Sequence, residues 1–222
     1  MATLPVDKKS LIIDTSGSQI FVGVSSGGQW LSMIKETASA VERFQALTNQ
    51  CLAASDTRLC DIASIVYDRG PGSILGIRTV IAAIQSWRVM SDEVLEIYSF
   101  HSLHLIALQL KKKGISDFAI LSDWKKSHWN VLKCSNNQLE TIQTVELDEL
   151  YELSSSGVSL YYLPQRKVWK ELNLDITEVK LEPESVDEFL SEDNFLMKED
   201  TLPGVYLPEA PSYKKWDQSR HT

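Results

Sequence analysis

Ile65-Val-Tyr-Asp-Arg-Gly-Pro-Gly-Ser-Ile-Leu-Gly-Ile-Arg78 is the stretch that decides how this chain folds. A β-branched apolar run breaks into Gly70-Pro71-Gly72-Ser73, and a long apolar-rich segment follows at once. The pattern predicts a strand, a tight glycine turn and a helix N-terminus. Such a turn brings backbone N–H groups against a phosphate or against a protein partner.

Upstream, Leu11-Ile12-Ile13 reads as a short buried strand ending at Asp14-Thr15-Ser16-Gly17-Ser18. Ile20, Val22 and Val24 alternate with polar or small neighbours, and Trp30, Ser32 and Ile34 form a third run, so an antiparallel meander opens the fold. Val41, Phe44, Leu47, Cys51 and Leu52 recur at helical spacing, with Ser39 as the expected N-cap. Downstream, a helix runs from about Ser73 to Met90, Val94 to Tyr98 is a strand, and a helix from Ser99 closes on Lys111-Lys112-Lys113-Gly114. A second unit follows, with strands over Phe118–Leu121, Trp129–Leu132, Leu139–Val145 and Val158–Leu163, then a short acidic helix over Ser185–Phe195. Leu202 to Pro211 is proline-rich and is expected to lie extended on the surface. No repeat of constant period is visible.

This order is that of a ribonuclease-H-like lobe. Two such lobes in tandem make the actin, hexokinase and chaperone-ATPase type of α/β fold. The expected division is a first lobe over residues 1–113, a smaller acidic lobe over 114–201, and a tail over 202–222 that packs back on the first lobe.

Composition narrows the functions. The 222 residues are 43% hydrophobic and 23% charged, ordinary values for a globular chain. No apolar run spans a bilayer, and the opening MATLPVDKKS lacks the layout of a secretion signal. Three cysteines without CxxC spacing argue for a reducing compartment and against a disulfide framework or a zinc site. A soluble cytoplasmic protein is expected. The net charge is −8, and the segment from Glu146 to Asp200 holds fifteen acidic and five basic residues. Tight binding of nucleic acid by this chain alone is therefore not expected.

The chemistry candidates are few. Asp14-Thr15-Ser16 suits a phosphate-binding hairpin whose Asp14 holds a metal-bound water, but an ordinary turn capped by its Asp explains it as well. An aspartic-protease pair needs a second carboxylate, and no second Asp-Thr-Gly-like segment exists. Gly70, Gly72 and Gly76 make a weak dinucleotide fingerprint, because the next strand closes on Tyr98-Ser99 and Pro71 removes an amide. His101 and His104 lie three apart without a third metal ligand, and His128 near Asp123 has no nucleophile beside it, so both read as structural. No metal or cofactor is expected. Ile74, Ile77, Ile81 and Ile84 form an apolar stripe widened by Val80 and Trp87, with Ala82-Ala83 allowing close approach. Packing on their own sheet accounts for most of these positions, yet a stripe of this width predicts that the two first-lobe helices also form a partner surface through Phe44, Leu47, Cys51, Ile77, Ile81 and Ile84.

Leu11-Ile-Ile-Asp-Thr-Ser, the segment from Tyr67 to Arg78, and Val205-Tyr-Leu-Pro followed by Lys214-Lys215-Trp216 resemble the bacterial TsaB family. Of the family pattern Gly-x-Gly-Pro-Gly-Ser-Phe-Thr-Gly-x-Arg, the chain keeps Arg69, Gly70, Pro71, Gly72, Ser73, Gly76 and Arg78, and has Ile74-Leu75 for Phe-Thr. The family's Asp-Ala-Arg-x-x-Glu-Val-Tyr segment stands here as Ser122-Asp-Trp-Lys-Lys-Ser-His-Trp-Asn-Val131, and its His-Ser pair is replaced by Ala40-Val-Glu-Arg-Phe44. The resemblance implies a non-catalytic dimerization subunit of the tRNA threonylcarbamoyladenosine complex, with Asp14, Thr15 and Ser16 a vestigial phosphate hairpin. It implies a catalytic paralogue and a pathway ATPase as partners, or a second copy, through the first-lobe helices. The alternatives are a nucleotide- or dinucleotide-binding enzyme using Gly70, Gly72 and Gly76, and a carboxylate-dependent hydrolase centred on Asp14.

Overall fold

The chain opens with three strands, β1 (Lys9–Asp14), β2 (Gln19–Ser26) and β3 (Gln29–Thr37), each antiparallel to the one before. The computed structural model describes residues 8–91, 94–125, 127–164, 172–182, 197–198 and 203–208. Gly27 and Gly28, at φ +58° and +74°, close the second hairpin, where a two-residue turn requires positive φ at both centres. The chain continues through α1 (Ala40–Ala54), β4 (Ile62–Asp68), α2 (Ile74–Met90), β5 (Glu96–Phe100) and α3 (Ser102–Lys112). β4 pairs parallel to β1, and β5 parallel to β4. A two-residue strand, Met197–Lys198, returns antiparallel to β5 and completes a six-stranded sheet.

The second sheet repeats this plan. β6 (Phe118–Lys125) and β7 (His128–Ser135) are antiparallel, with β8 (Gln138–Leu139) and β9 (Gln143–Glu146) both on β7. After α4 (Leu147–Ser155), β10 (Ser159–Tyr162) pairs parallel to β6 and β11 (Thr177–Glu178) parallel to β10. Thus β9-β7-β6-β10-β11 is ordered as β3-β2-β1-β4-β5 is. The repeat that sequence spacing hides is explicit in the topology.

Three apolar clusters bind five layers together. α1 and α2 cover one face of the first sheet, placing Phe44, Leu47, Ile77 and Ile84 against Leu11, Ile13 and Tyr67. α3 lies between the sheets, in one cluster with Ile12, Phe21 and Val66 of the first and Phe118, Ile120 and Leu132 of the second. Leu103, Leu105, Ile106, Ala107, Leu108 and Leu110 are all buried, so this helix is apolar around its circumference, as a helix between two sheets must be. α4 packs Leu150 on the outer face of the second sheet. The α/β two-lobed ribonuclease-H-like architecture expected from the order of elements is the one that forms.

Several boundaries differ from expectation. β5 starts at Glu96 rather than Val94, whose side chain is 90% exposed, and α3 starts at Ser102 rather than Ser99. The strand expected over Leu139–Val145 is two short strands, because they pair with opposite ends of β7. α4 has no counterpart in the sequence reading: its apolar face is only Leu147, Leu150 and Leu153, set in an acidic surround. Its N-terminus is closed by Glu149, which accepts from the Glu146 N–H at 2.8 Å. Ser39 stands at the α1 N-cap, but its backbone carbonyl rather than its side chain meets the first-turn amides. The acidic helix expected over Ser185–Phe195 lies outside the described residues. Among the described residues no helix is long and apolar enough to cross a membrane.

Candidate functional site

The parallel pairing of β1 with β4 carries both strands to the same edge of the sheet, and each ends on an aspartate. Ile13 is in register with Tyr67, so Asp14 and Asp68 stand side by side on the face that Ile12 and Val66 present to α3. Both carboxyls are buried, at 5% and 2% exposure. Asp14 Oδ1 accepts from the Ser16 N–H at 2.7 Å, and Asp68 Oδ1 from the Gly70 N–H at 2.8 Å and the Ser102 N–H at 3.1 Å. Burial raises both carboxyls above the usual range, and Asp68 goes well above it because the Asp14 charge adds to the effect. The Ser16 side chain stands beside both carboxyls and holds both down against burial, and the two carboxyls act on each other directly. A second carboxylate, dismissed in the sequence for want of a second Asp-Thr-Gly segment, is therefore present: it is Asp68.

The glycine turn is pressed against this edge. A Cβ on Gly72 would lie 2.4 Å from the Ser16 carbonyl oxygen, and one on Gly76 would lie 2.3 Å from that of Thr15. Real Cβ atoms do not approach backbone that closely, so glycine is needed at both positions for packing. The Ser73 N–H donates to the Ser16 carbonyl at 2.6 Å, and Ser73 Oγ caps α2 by accepting from the Gly76 N–H at 3.2 Å. An amide that a phosphate would use is thus spent on the β1–β2 hairpin. Gly70 takes φ +106°, a conformation open to glycine, and is joined to Pro71 by a cis peptide bond.

His101 fixes the turn from the side. Burial lowers its pKa to about 4. The ring is therefore neutral near pH 7, and its Nδ1–H donates to the Gly70 carbonyl at 2.6 Å. Ser102 Oγ donates to the Pro71 carbonyl at 3.3 Å. From outside, Gly204 and Tyr206 close over the turn. Tyr67 Oη donates to the Gly204 carbonyl and accepts from its N–H, each at 2.9 Å, and the Tyr206 N–H donates to the Arg69 carbonyl at 2.7 Å. The Tyr206 ring stands edge-on to His101, with centroids 4.9 Å apart. Residues 203–208 thus lie against the glycine turn, and the rest of the segment over 202–222 is outside the described residues. His101, read from sequence as ordinary, is a turn-holding residue.

Space is the other constraint. Between the lobes, Asp14, Gln19 and Phe21 face Pro164, Lys180 and Leu181 across a cavity of about 20 Å³. That admits about one water, whereas small-molecule sites run to hundreds of Å³. A larger cavity of about 450 Å³ lies along β7, β9 and α4 and shares no lining residue with the turn. Among the described residues no three His, Cys, Asp or Glu side chains converge as a metal set. His128 pairs with Glu146 at 3.3 Å while Asp123 accepts from Tyr162 Oη, so these two form no catalytic pair.

The expected interface residues need correction. Phe44, Leu47, Cys51, Ile77 and Ile84 are buried in the cluster beneath α1 and α2, and only Ile81 is half-exposed. The paired helices and the sheet absorb most of the stripe between them, leaving Ile74 and Ile81 partly exposed. Apolar side chains that the helices leave to solvent include Val41, Leu75, Ala82, Val89 and Met90, with Leu75 67% and Val89 88% exposed. Arg78 is exposed on this side, and Arg69 lies against Met197 at 3.9 Å.

No family model matches the sequence, and no curated protein matches it. Solved structures do. YeaZ from Pseudomonas aeruginosa is 18% identical with a TM-score of 0.53, over 63% of this chain and 67% of that one. A structure described as an uncharacterized protein with similarity to peptidase YEAZ from Pseudomonas aeruginosa is 16% identical with a TM-score of 0.56, over 70% of this chain and 74% of that one. At these identities the likeness shows the fold: a mixed α/β, two-sheet architecture of the actin and hexokinase type.

Two measurements check this account of the turn. Gly72→Ala and Gly76→Ala should each cost about 2–3 kcal/mol in urea unfolding. Gly17→Ala, whose added Cβ would make only an ordinary 3.7 Å contact, should stay within about 0.5 kcal/mol of the parent. Equal costs at all three would remove the packing explanation. For His101, the folded pKa lies below the unfolded one. Its contribution is therefore present above pH 6.5 and is lost as pH falls towards about 4. Between pH 7 and pH 4 the parent should lose up to roughly 3 kcal/mol more than His101→Gln, and parallel pH profiles would contradict the assignment.

Proposed function

We propose that this chain is a TsaB-type accessory subunit: a non-catalytic scaffold that supports the subunit transferring threonylcarbamoyl to the adenosine beside the tRNA anticodon. The observation that carries the reading is the closed glycine turn, whose Ser73 amide and glycine faces are occupied by the backbone of Thr15 and Ser16. The sequence of that turn resembles the family's, and the fold is that of YeaZ, which is TsaB. A nucleotide enzyme needs these amides free and the crevice open. A carboxylate-dependent hydrolase, which the Asp14–Asp68 pair invites, needs room for a scissile bond beside both groups, whereas the cavity of about 20 Å³ has Asp14 but not Asp68 in its wall.

In this reading the partner surface is the outer face of α1 and α2 rather than their buried stripe. Leu75, Ala82 and Val89 are seven residues apart and lie along one line of α2, with Ser86 beside them. Small residues at the centre let a second helix pair approach, and the apolar ends give it something to bury. The partner is the catalytic paralogue, joined by the pathway ATPase, or a second copy where the paralogue is absent.

Co-expression with the catalytic paralogue tests the reading. Ala82→Asp and Val89→Asp, both at solvent-facing positions, should keep the parent's circular dichroism and lose co-purification, with at least a tenfold weaker complex. An undiminished complex in both variants would overturn the interface.

A further inference from the structure

We propose that the second sheet binds two water molecules in a row across its strands, one between Ser122 and Asn130 and one between Asn130 and Thr144. The inference is independent of the scaffold reading. β6, β7 and β9 are neighbours, and their register sets Ser122 opposite Asn130 and Asn130 opposite Thr144. Residues opposite each other in antiparallel strands share one face of the sheet. Here it is the face of Ile120 and Leu132, which lie in one cluster with α3 and the first sheet. Ser122 and Asn130 are both 0% exposed. Ser122 Oγ, Asn130 Oδ1 and Nδ2, and Thr144 Oγ1 are all buried without a hydrogen-bond partner among the described residues. Buried polar atoms are almost always paired. A carboxamide with both ends unpaired, set between two unpaired hydroxyls, therefore calls for a guest that bonds to all three side chains.

The chemistry of the row chooses the guest. Its three side chains are neutral, and a carboxamide and two hydroxyls both donate and accept. That suits a neutral molecule which does the same, and not an ion. The charged neighbour Asp123 belongs to the opposite face, since it stands opposite Trp129 of the outer cluster and accepts from Tyr162 Oη. Spacing points the same way. Side chains opposite each other in adjacent strands stand about 5 Å apart, the span of one water making two hydrogen bonds of about 2.8 Å. The space beside the row is also water-sized. Leu163, bonded through its N–H to the Leu121 carbonyl in β6, lines the cavity of about 20 Å³ between the lobes. Bound in this row, the two waters tie β6, β7 and β9 together beyond their backbone ladder. Part of the face turned to the first lobe then rests on water bridges rather than on apolar packing.

Transfer of magnetisation from water to the isotope-labelled full-length chain reads the row directly. The side-chain amide protons of Asn130 should give cross-peaks to water whose sign marks a residence time beyond a nanosecond. Ser122→Ala and Thr144→Val supply an independent measurement, because each removes a hydroxyl and little else. A hydroxyl bonded to a bound water contributes to stability, so each variant should melt about 2–4 °C below the parent. An unpaired hydroxyl predicts the opposite sign, since its removal relieves a buried polar group and leaves the midpoint unchanged or raises it. Absence of the Asn130 cross-peaks overturns the proposal. A midpoint at or above the parent's in either variant overturns the bridge that its hydroxyl anchors.

Discussion

Gly72 and Gly76 lie so close to the carbonyls of Ser16 and Thr15 that no side chain fits between them, and much of the first lobe is arranged around that contact. The hairpin after β1 and the turn after β4 are 54 residues apart in sequence yet share one hydrogen bond, Ser73 to Ser16, and one pair of acids. Because β1 and β4 are parallel neighbours, both segments must leave the same sheet edge, and something has to fill the space between them. In a phosphate-binding protein a ligand would fill it. Here the chain's own backbone does. The helix that follows, α2, is thereby set at a fixed angle over the sheet, with its apolar stripe directed inward and a thin line of small and apolar residues outward.

Much of this was legible in the sequence. The apolar runs Leu11-Ile-Ile and Ile65-Val-Tyr read as buried strands because both faces of a central strand are covered, and the meander read correctly because Ile20, Val22 and Val24 alternate. The end of α3 was marked by its lysines and Gly114, which takes φ +80°. Other features were not legible, for identifiable reasons. α4 hides its three leucines in an acidic segment that looks like a solvated face. The stripe on α2 looked too wide for one sheet, because periodicity cannot show that α1 packs beside it.

The site was half visible. Glycines at 70, 72 and 76 announced a close approach but not its target, and the target turned out to be protein. The meeting of Asp14 and Asp68 depends on strand pairing, which local patterns do not state. A signal was nonetheless present, since both apolar runs end on an aspartate and then pass into small residues. His101 carried no such mark. Its role comes from the carbonyl of Gly70 and the ring of Tyr206, contributed from 31 residues before it and 105 after it.

The central claim is that the glycine turn is occupied by protein and offers no phosphate site. It is tested most directly by following the backbone amide resonances of Gly70, Gly72, Ser73 and Gly76 while ATP with Mg²⁺ is titrated into the isolated full-length chain. The account predicts that these four signals stay in place to millimolar nucleotide. Saturable shifts at micromolar ATP, centred on Gly72 and Ser73, would contradict it.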